Sequence, residues 1–322
     1  VSSTAATSQT ACAAGTYQAS TGQTSCTDAS AGYYVSTTAA ASQTACAAGT
    51  YNVNTGSTSS AACTDADAGH YSSAGSASQT ACAAGTYQPS TGQPSCTDAS
   101  AGYYVSSTAA TSQIACAAGT YNPNTGSANS TACIDTAAGH YTASPGSGSQ
   151  TACSAGTYQP GTGQTSCTDA SAGYYVSSTA ATSQTACAAG TYQPSTGQTS
   201  CTDASAGYYV PSVGLSSQTA CSAGTYQTST GQTSCTDASA GYYVDSTAAT
   251  SQTACAAGTY QASTGQTSCT DASAGYYVPT TAATAQTACA AGTYQPSTGQ
   301  SSCTDASAGY YVSSTAATNQ VA

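Results

Sequence analysis

Cys12-Ala13-Ala14-Gly15-Thr16-Tyr17-Gln18, then Ser20-Thr21-Gly22, Ser25-Cys26-Thr27-Asp28 and Ala31-Gly32-Tyr33-Tyr34-Val35, is the stretch that decides the fold. A linker, Ser42-Gln43-Thr44-Ala45, leads to Cys46, where the unit starts again. Its first cysteine recurs at Cys12, Cys46, Cys82, Cys116, Cys153, Cys187, Cys221, Cys255 and Cys289. Such a regular recurrence marks tandem modules, each too small to fold on a core of its own. The repeats are read as 1–45, 46–81, 82–115, 116–152, 153–186, 187–220, 221–254, 255–288 and 289–322. Repeats 46–81 and 116–152 have longer loops and carry His70 and His140 where the others have a first tyrosine, so the first pair of repeats recurs as the second, a duplication in blocks. The chain opens and closes inside linkers, at Val1-Ser2-Ser3-Thr4 and Asn319-Gln320-Val321-Ala322, and reads as a window on a longer array.

Composition sets what such an array can be. The 39% of hydrophobic residues is mostly Ala, Tyr and Cys, with one leucine (Leu215), two isoleucines (Ile114, Ile134) and no Phe, Trp or Met. Large aliphatic side chains supply most burial energy, at roughly 25 cal/mol per Å². Without them one conventional core cannot offset the entropy of so long a chain. The 18 cysteines with only two histidines read as a disulfide framework in an oxidising, extracellular compartment. There is no Lys or Arg and the net charge is −11, which excludes nucleic acid and anionic membranes as partners. No apolar run is long enough to span a membrane.

Within the unit, Gly15-Thr16-Tyr17-Gln18 and Gln23-Thr24-Ser25-Cys26 read as two short strands about a turn. The turn glycine is present in every copy (Gly22, Gly56, Gly92, Gly126, Gly163, Gly197, Gly231, Gly265, Gly299), as a positive φ requires. Pro89, Pro123, Pro160, Pro194 and Pro296 precede it, where a fixed φ suits the start of a turn. So small a hairpin is marginal by itself, and a Cys12–Cys26 bridge closes it. The segment Gly32-Tyr33-Tyr34-Val35 has β-propensity. Its second tyrosine is invariant among the copies, so Tyr34, Tyr104, Tyr175, Tyr209, Tyr243, Tyr277 and Tyr311 are expected to pack inward and the first tyrosine outward. The fold class expected is a linear array, rod or solenoid, of small disulfide-rich all-β and coil modules with essentially no helix.

These residues carry a resemblance. The repeats resemble the ephrin-receptor-like cysteine-rich repeats, whose units read C-x-x-C-x-x-G-x-Y and which are related to growth-factor and tumour-necrosis-factor-receptor modules and common in large protist surface proteins, although no C-x-x-C occurs in this chain. Counting back from the glycine, Cys26 and Cys12 match first and second positions of successive C-x-x-C pairs, while Ala29 and Gln43 stand where the other two cysteines belong. If second cysteines bridge to the next first cysteine, that double loss removes one whole bridge and leaves local pairs: Cys12–Cys26, Cys46–Cys63, Cys82–Cys96, Cys116–Cys133, Cys153–Cys167, Cys187–Cys201, Cys221–Cys235, Cys255–Cys269 and Cys289–Cys303. Cys26–Cys46 is the open alternative.

Ser/Thr-rich linkers in secreted chains favour O-glycans over bare solvated linkers, with Thr4, Thr7, Thr108, Thr111, Thr179, Thr182, Thr247 and Thr250 as acceptors. Asn129-Ser130-Thr131 is the one N-glycosylation sequon. One Asp per unit (Asp28, Asp65, Asp98, Asp135, Asp169, Asp203, Asp237, Asp271, Asp305) is too few for calcium, which takes six to eight oxygens, so an Asx-turn is the expected role. His70 and His140 stand alone in their units, and no nucleophile has a base beside it, so neither a cofactor nor catalysis is expected. The chain reads as a structural subunit of an extracellular, O-glycosylated fibre, hair or coat whose partners are its own copies and glycans. The alternatives are an adhesive or ligand-binding ectodomain and an ice-binding repeat protein, the last disfavoured because so long a period spaces threonines badly for ice.

Overall fold

The structure is a computed structural model that describes residues 8–322, so Thr4 and Thr7 lie outside the described residues. Every strand is two residues long and every sheet is one antiparallel hairpin. Thr16–Tyr17 pairs with Thr27–Asp28 in the register Thr16↔Asp28 and Tyr17↔Thr27. Tyr33–Tyr34 pairs in the same way with Thr44–Ala45. Two expectations are corrected here. The return strand of the cysteine hairpin follows Cys26 instead of running into it, and the segment read as a linker is itself a strand.

The two hairpins are one motif used twice. Gly15, Gly32 and Gly49 hold the same place in successive hairpins, evenly spaced along the chain. The Ala29 amide donates to Gly15 O at 2.8 Å, as the Cys46 amide does to Gly32 O at 2.9 Å. The structural unit is therefore a rung half the length of the sequence repeat, two rungs to each repeat. The long-loop repeats add only a 3₁₀ turn each, Ser60–Ala62 and Ser130–Ala132.

The rungs group into two compact units. One runs to Ala152 and takes in Gln159–Cys167; the other is Cys153–Tyr158 with Thr168–Ala322. Within each, a rung is joined to its successor by the same three main-chain hydrogen bonds. In the first unit Gly15 N donates to Val35 O (2.8 Å), Gln18 N to Ala40 O (3.1 Å), and Ala39 N back to Cys12 O (2.8 Å). In the second, Gly190 N donates to Val210 O (2.9 Å), Gln193 N to Leu215 O (3.2 Å), and Gly214 N to Cys187 O (2.9 Å). Backbone groups left over by two-residue strands are thus satisfied by the next rung.

The joint demands a glycine. At Gly190, φ is +87° and an added Cβ lies 2.3 Å from the carbonyl oxygen of Gly231 in a following rung. The turn glycine Gly22 has φ of +74° with nothing within 4 Å of its Cβ position, so there the backbone angle alone selects glycine.

Within each unit the core is a thin double column. One column alternates buried cysteine and buried alanine, as in Cys187 and Ala204, both 0% exposed. The other is the residue that follows the tyrosine ending each first strand, alternately Gln or Asn after the Thr-Tyr strands and Val after the Tyr-Tyr strands, as in Gln193 and Val210. The inward residue is thus Val35, not Tyr34. Both Tyr33 and Tyr34 are half-buried, a correction to the inward and outward assignment that holds for each tyrosine pair up to Tyr276 and Tyr277. Tyr311 is exposed.

Two rungs depart from the valine column. Ser72 and Thr142 occupy it, are buried, and leave their hydroxyls without a hydrogen-bond partner. A buried hydroxyl with no partner costs about 1–3 kcal/mol. Thr142→Val, which keeps the shape and restores the usual residue, is expected to raise stability by roughly 1–2 kcal/mol in denaturant titration.

Candidate functional site

Each cysteine rung is closed by a local bridge. Cys12 is joined to Cys26, Cys46 to Cys63, Cys82 to Cys96 and Cys116 to Cys133, with Cα–Cα distances of 5.5–5.8 Å. Cys187–Cys201, Cys221–Cys235, Cys255–Cys269 and Cys289–Cys303 follow the same pattern. Cys153 and Cys167 are disulfide-bonded as well, and no cysteine is free. Cys46 is bonded forward to Cys63, so the Cys26–Cys46 alternative is not the one present.

The intervening rungs hold the same place with a glutamine. Gln184 Oε1 accepts from the Ser171 amide at 2.6 Å, and Gln218 Oε1 from the Ser205 amide at 2.7 Å. Gln43, Gln79, Gln113, Gln150, Gln252, Gln286 and Gln320 do likewise. The sequence signal for this clasp was a Gln two residues ahead of Ala45 and its counterparts, aligned with Cys26 two ahead of Asp28. Because Ala204 and Gln218 sit where a bonded pair sits one rung away, Ala204→Cys with Gln218→Cys is expected to form a further disulfide without moving the backbone. Thiol titration of the folded double variant should find no free thiol. A loop of this length gains about 3 kcal/mol from closure in the entropy model.

The single-residue candidates resolve as follows. Asp28 and its counterparts form no Asx-turn; among the described residues the one hydrogen bond to an Asp carboxylate is Gln79 Nε2 to Asp67 Oδ2 at 2.7 Å. The Asp row lies instead over the turn glycine of the next repeat: a Cβ placed on Gly92 is 3.3 Å from the Asp65 carboxyl carbon. Among the described residues, no three metal-ligating side chains converge. His70 and His140 are half-buried and each aims Nδ1 at a nearby carbonyl, Ala68 O at 3.4 Å and Ala138 O at 3.2 Å. Asn129 caps a 3₁₀ turn, accepting from the Thr131 amide at 3.1 Å and from its hydroxyl, and stays exposed. Thr108, Thr111, Thr179, Thr182, Thr247 and Thr250 are exposed, but in ordered turns and not in loose linkers: Ala109, Ala180 and Ala248 beside them all hold a left-handed φ of 54–55°.

A feature not anticipated is a row of threonines. The first residue of the second strand is Thr in all but two hairpins, from Thr27 to Thr304, with Ile114 and Ile134 the exceptions, and it is exposed in every one. In register it faces the tyrosine that ends the first strand, as Thr202 faces Tyr192 and Thr219 faces Tyr209. An open groove of about 460 Å³ beside that pair is lined by Tyr209, Thr219, Ser222, Thr225 and Ser234 among others.

No family model matches the chain, and no curated protein is significantly similar to it. No helix among the described residues is long and apolar enough to cross a membrane.

Proposed function

We propose that the chain is a structural subunit of an extracellular fibre, hair or surface coat, carrying O-linked sugars. The observation that carries this reading is the rung joint. It is made by main-chain groups, repeats with the same donors and acceptors along each unit, and so extends by simple addition of rungs. Nine bridges and no free thiol suit an oxidising compartment outside the cytosol. The likeness to ephrin-receptor-like repeats supports a place at the cell surface. With no Lys or Arg anywhere in the sequence, lateral packing needs no charge pairing and meets only a thin negative charge. Electron microscopy of the native protein should show filaments; dispersed single particles at all concentrations overturn the reading. Intact mass above that of the bare polypeptide, in sugar increments, tests the glycans separately.

A second reading gains one observation. Ice binding was disfavoured by the long period, but the rung is half as long and exposes a threonine nearly every time. Thermal hysteresis in a freezing-point assay tests it directly, and its absence removes it.

A further inference from the structure

The strand threonines fall into two groups with opposite fates. In the cysteine rungs, the first-strand threonine is tied down: Thr191 Oγ1 donates to Ala188 O and Thr225 Oγ1 to Ser222 O, each at 2.8 Å. Thr16, Thr50, Thr86, Thr120, Thr157, Thr259 and Thr293 do the same. The second-strand threonines are the reverse. From Thr27 through Thr219 to Thr304 their hydroxyls are exposed and make no hydrogen bond within the described residues. β-propensity alone accounts for a β-branched residue there, and Ile114 and Ile134 meet that need. It does not account for a row of unengaged hydroxyls held at one position of the hairpins, stapled and clasped alike.

We infer that the second-strand threonines are the O-glycan acceptors of this chain, each taking a neutral sugar that lies against the paired tyrosine. The inference rests on the extracellular reading above and moves the sugars from the turns to the strands. The acceptor residue sits in a paired strand at the same register in each hairpin, which favours a uniform presentation to a transferase. The groove beside Thr219 offers the Tyr209 ring as an apolar face, Ser222 and Ser234 as hydroxyl partners and Thr225 Oγ1 as an acceptor, the mixture that suits a sugar ring. An acidic sugar finds no Lys or Arg to pair with and a chain already at −11. The transfer needs a nucleotide-activated sugar and a glycosyltransferase. Thr Oγ1 bonds to the anomeric carbon, the bond from that carbon to phosphate oxygen breaks, the nucleoside diphosphate leaves, and the hydroxyl proton passes to the transferase base. Nothing is oxidised or reduced.

The row has two natural blanks. Ile114 and Ile134 fall in successive hairpins, so glycans are expected at Thr97 and Thr151 and at neither position between them. Site mapping of the native protein, cut with a protease that needs no Lys or Arg, should place sugars on Thr202, Thr219 and Thr236. Thr219→Val should keep every thiol oxidised and lose one glycan, and Ile114→Thr should gain one. Sugars confined to turn residues such as Thr179 and Thr182, or a bare polypeptide, overturn the inference. Filament formation scored on the same sample tests the structural role independently, so either reading can fail without the other.

Discussion

Gly190→Ala is expected to break the array at its own rung, at a cost of about 2–5 kcal/mol. Two effects add at this residue. A left-handed φ of +87° penalises any Cβ, by about 1–2 kcal/mol. The same Cβ meets Gly231 O at 2.3 Å and its carbonyl carbon at 3.0 Å, and both are backbone atoms with no rotamer through which to retreat. Relief requires the Gly190 and Gly231 segments to part, which strains the bonds that tie each of them to the stretch between, Gly190 N to Val210 O at 2.9 Å and Gly231 N to Ala204 O at 2.8 Å. Since rungs in each unit are linked through near neighbours, the damage should stay local. Hydrogen exchange should show lost protection at Gly190, Ala204 and Gly231, with amides near Gly275 and Cys289 unchanged. Gly231→Ala is the control. Its φ is +70°, but its Cβ meets nothing nearer than the Asp203 side chain at 3.7 Å, so it should show the cost of the angle alone. Equal losses at the two positions count against the close-approach argument.

What the sequence made legible follows from where its signals were strong. The spaced cysteines announced stapled modules, and the glycine of each turn announced a positive φ, which Gly22 and Gly197 have at +74° and +70°. The half-length rung was hidden because its equivalent positions share a role and not a chemistry. Cys12 corresponds to Ala29, and Cys26 to Gln43: a covalent staple in one rung, a methyl group and an amide clasp in the next. The trace left in the text was the echo of Gly15-Thr16-Tyr17 in Gly32-Tyr33-Tyr34. Strands of two residues lie below anything periodicity can detect. The tyrosine misassignment has a similar cause. On a pleated strand one residue of slip exchanges the faces, and the small Val35 takes the buried place that a large invariant aromatic suggested for Tyr34. The threonine row was unreadable as such because half of its members, such as Thr44 and Thr219, looked like linker residues, and only the pairing of Tyr209 with Thr219 put them in register with Thr27 and its counterparts.

Removing one staple, by Cys187→Ala with Cys201→Ala, is expected to cost about 3 kcal/mol. The bridge closes a span with a sequence separation of 14 between cysteines whose Cα atoms lie 5.7 Å apart. In the entropy model its contribution acts on the unfolded chain, by shrinking the ensemble the rung must leave behind. The folded rung has little else to draw on. Its hairpin is two residue pairs, a length that is marginal alone, and its buried apolar side chains beyond the cysteines are alanine and valine, such as Ala204 and Val210 in the next rung. The clasped rungs show how far the fold can go without a staple: Gln184 holds its rung with one amide-to-carbonyl bond of 2.6 Å, a term of about 1 kcal/mol. They persist because a stapled neighbour adjoins them through three main-chain bonds. The double alanine variant removes that support from the clasped rungs beside it, so its loss should spread across the stretch from Ala170 to Ala220 and no further. Hydrogen exchange and limited proteolysis report the extent, and Gln184→Ala, expected to cost about 1 kcal/mol, gives the scale for a clasp. A loss confined to Cys187–Cys201, or one no larger than that of Gln184→Ala, means the staples do not support their neighbours and each rung stands by itself.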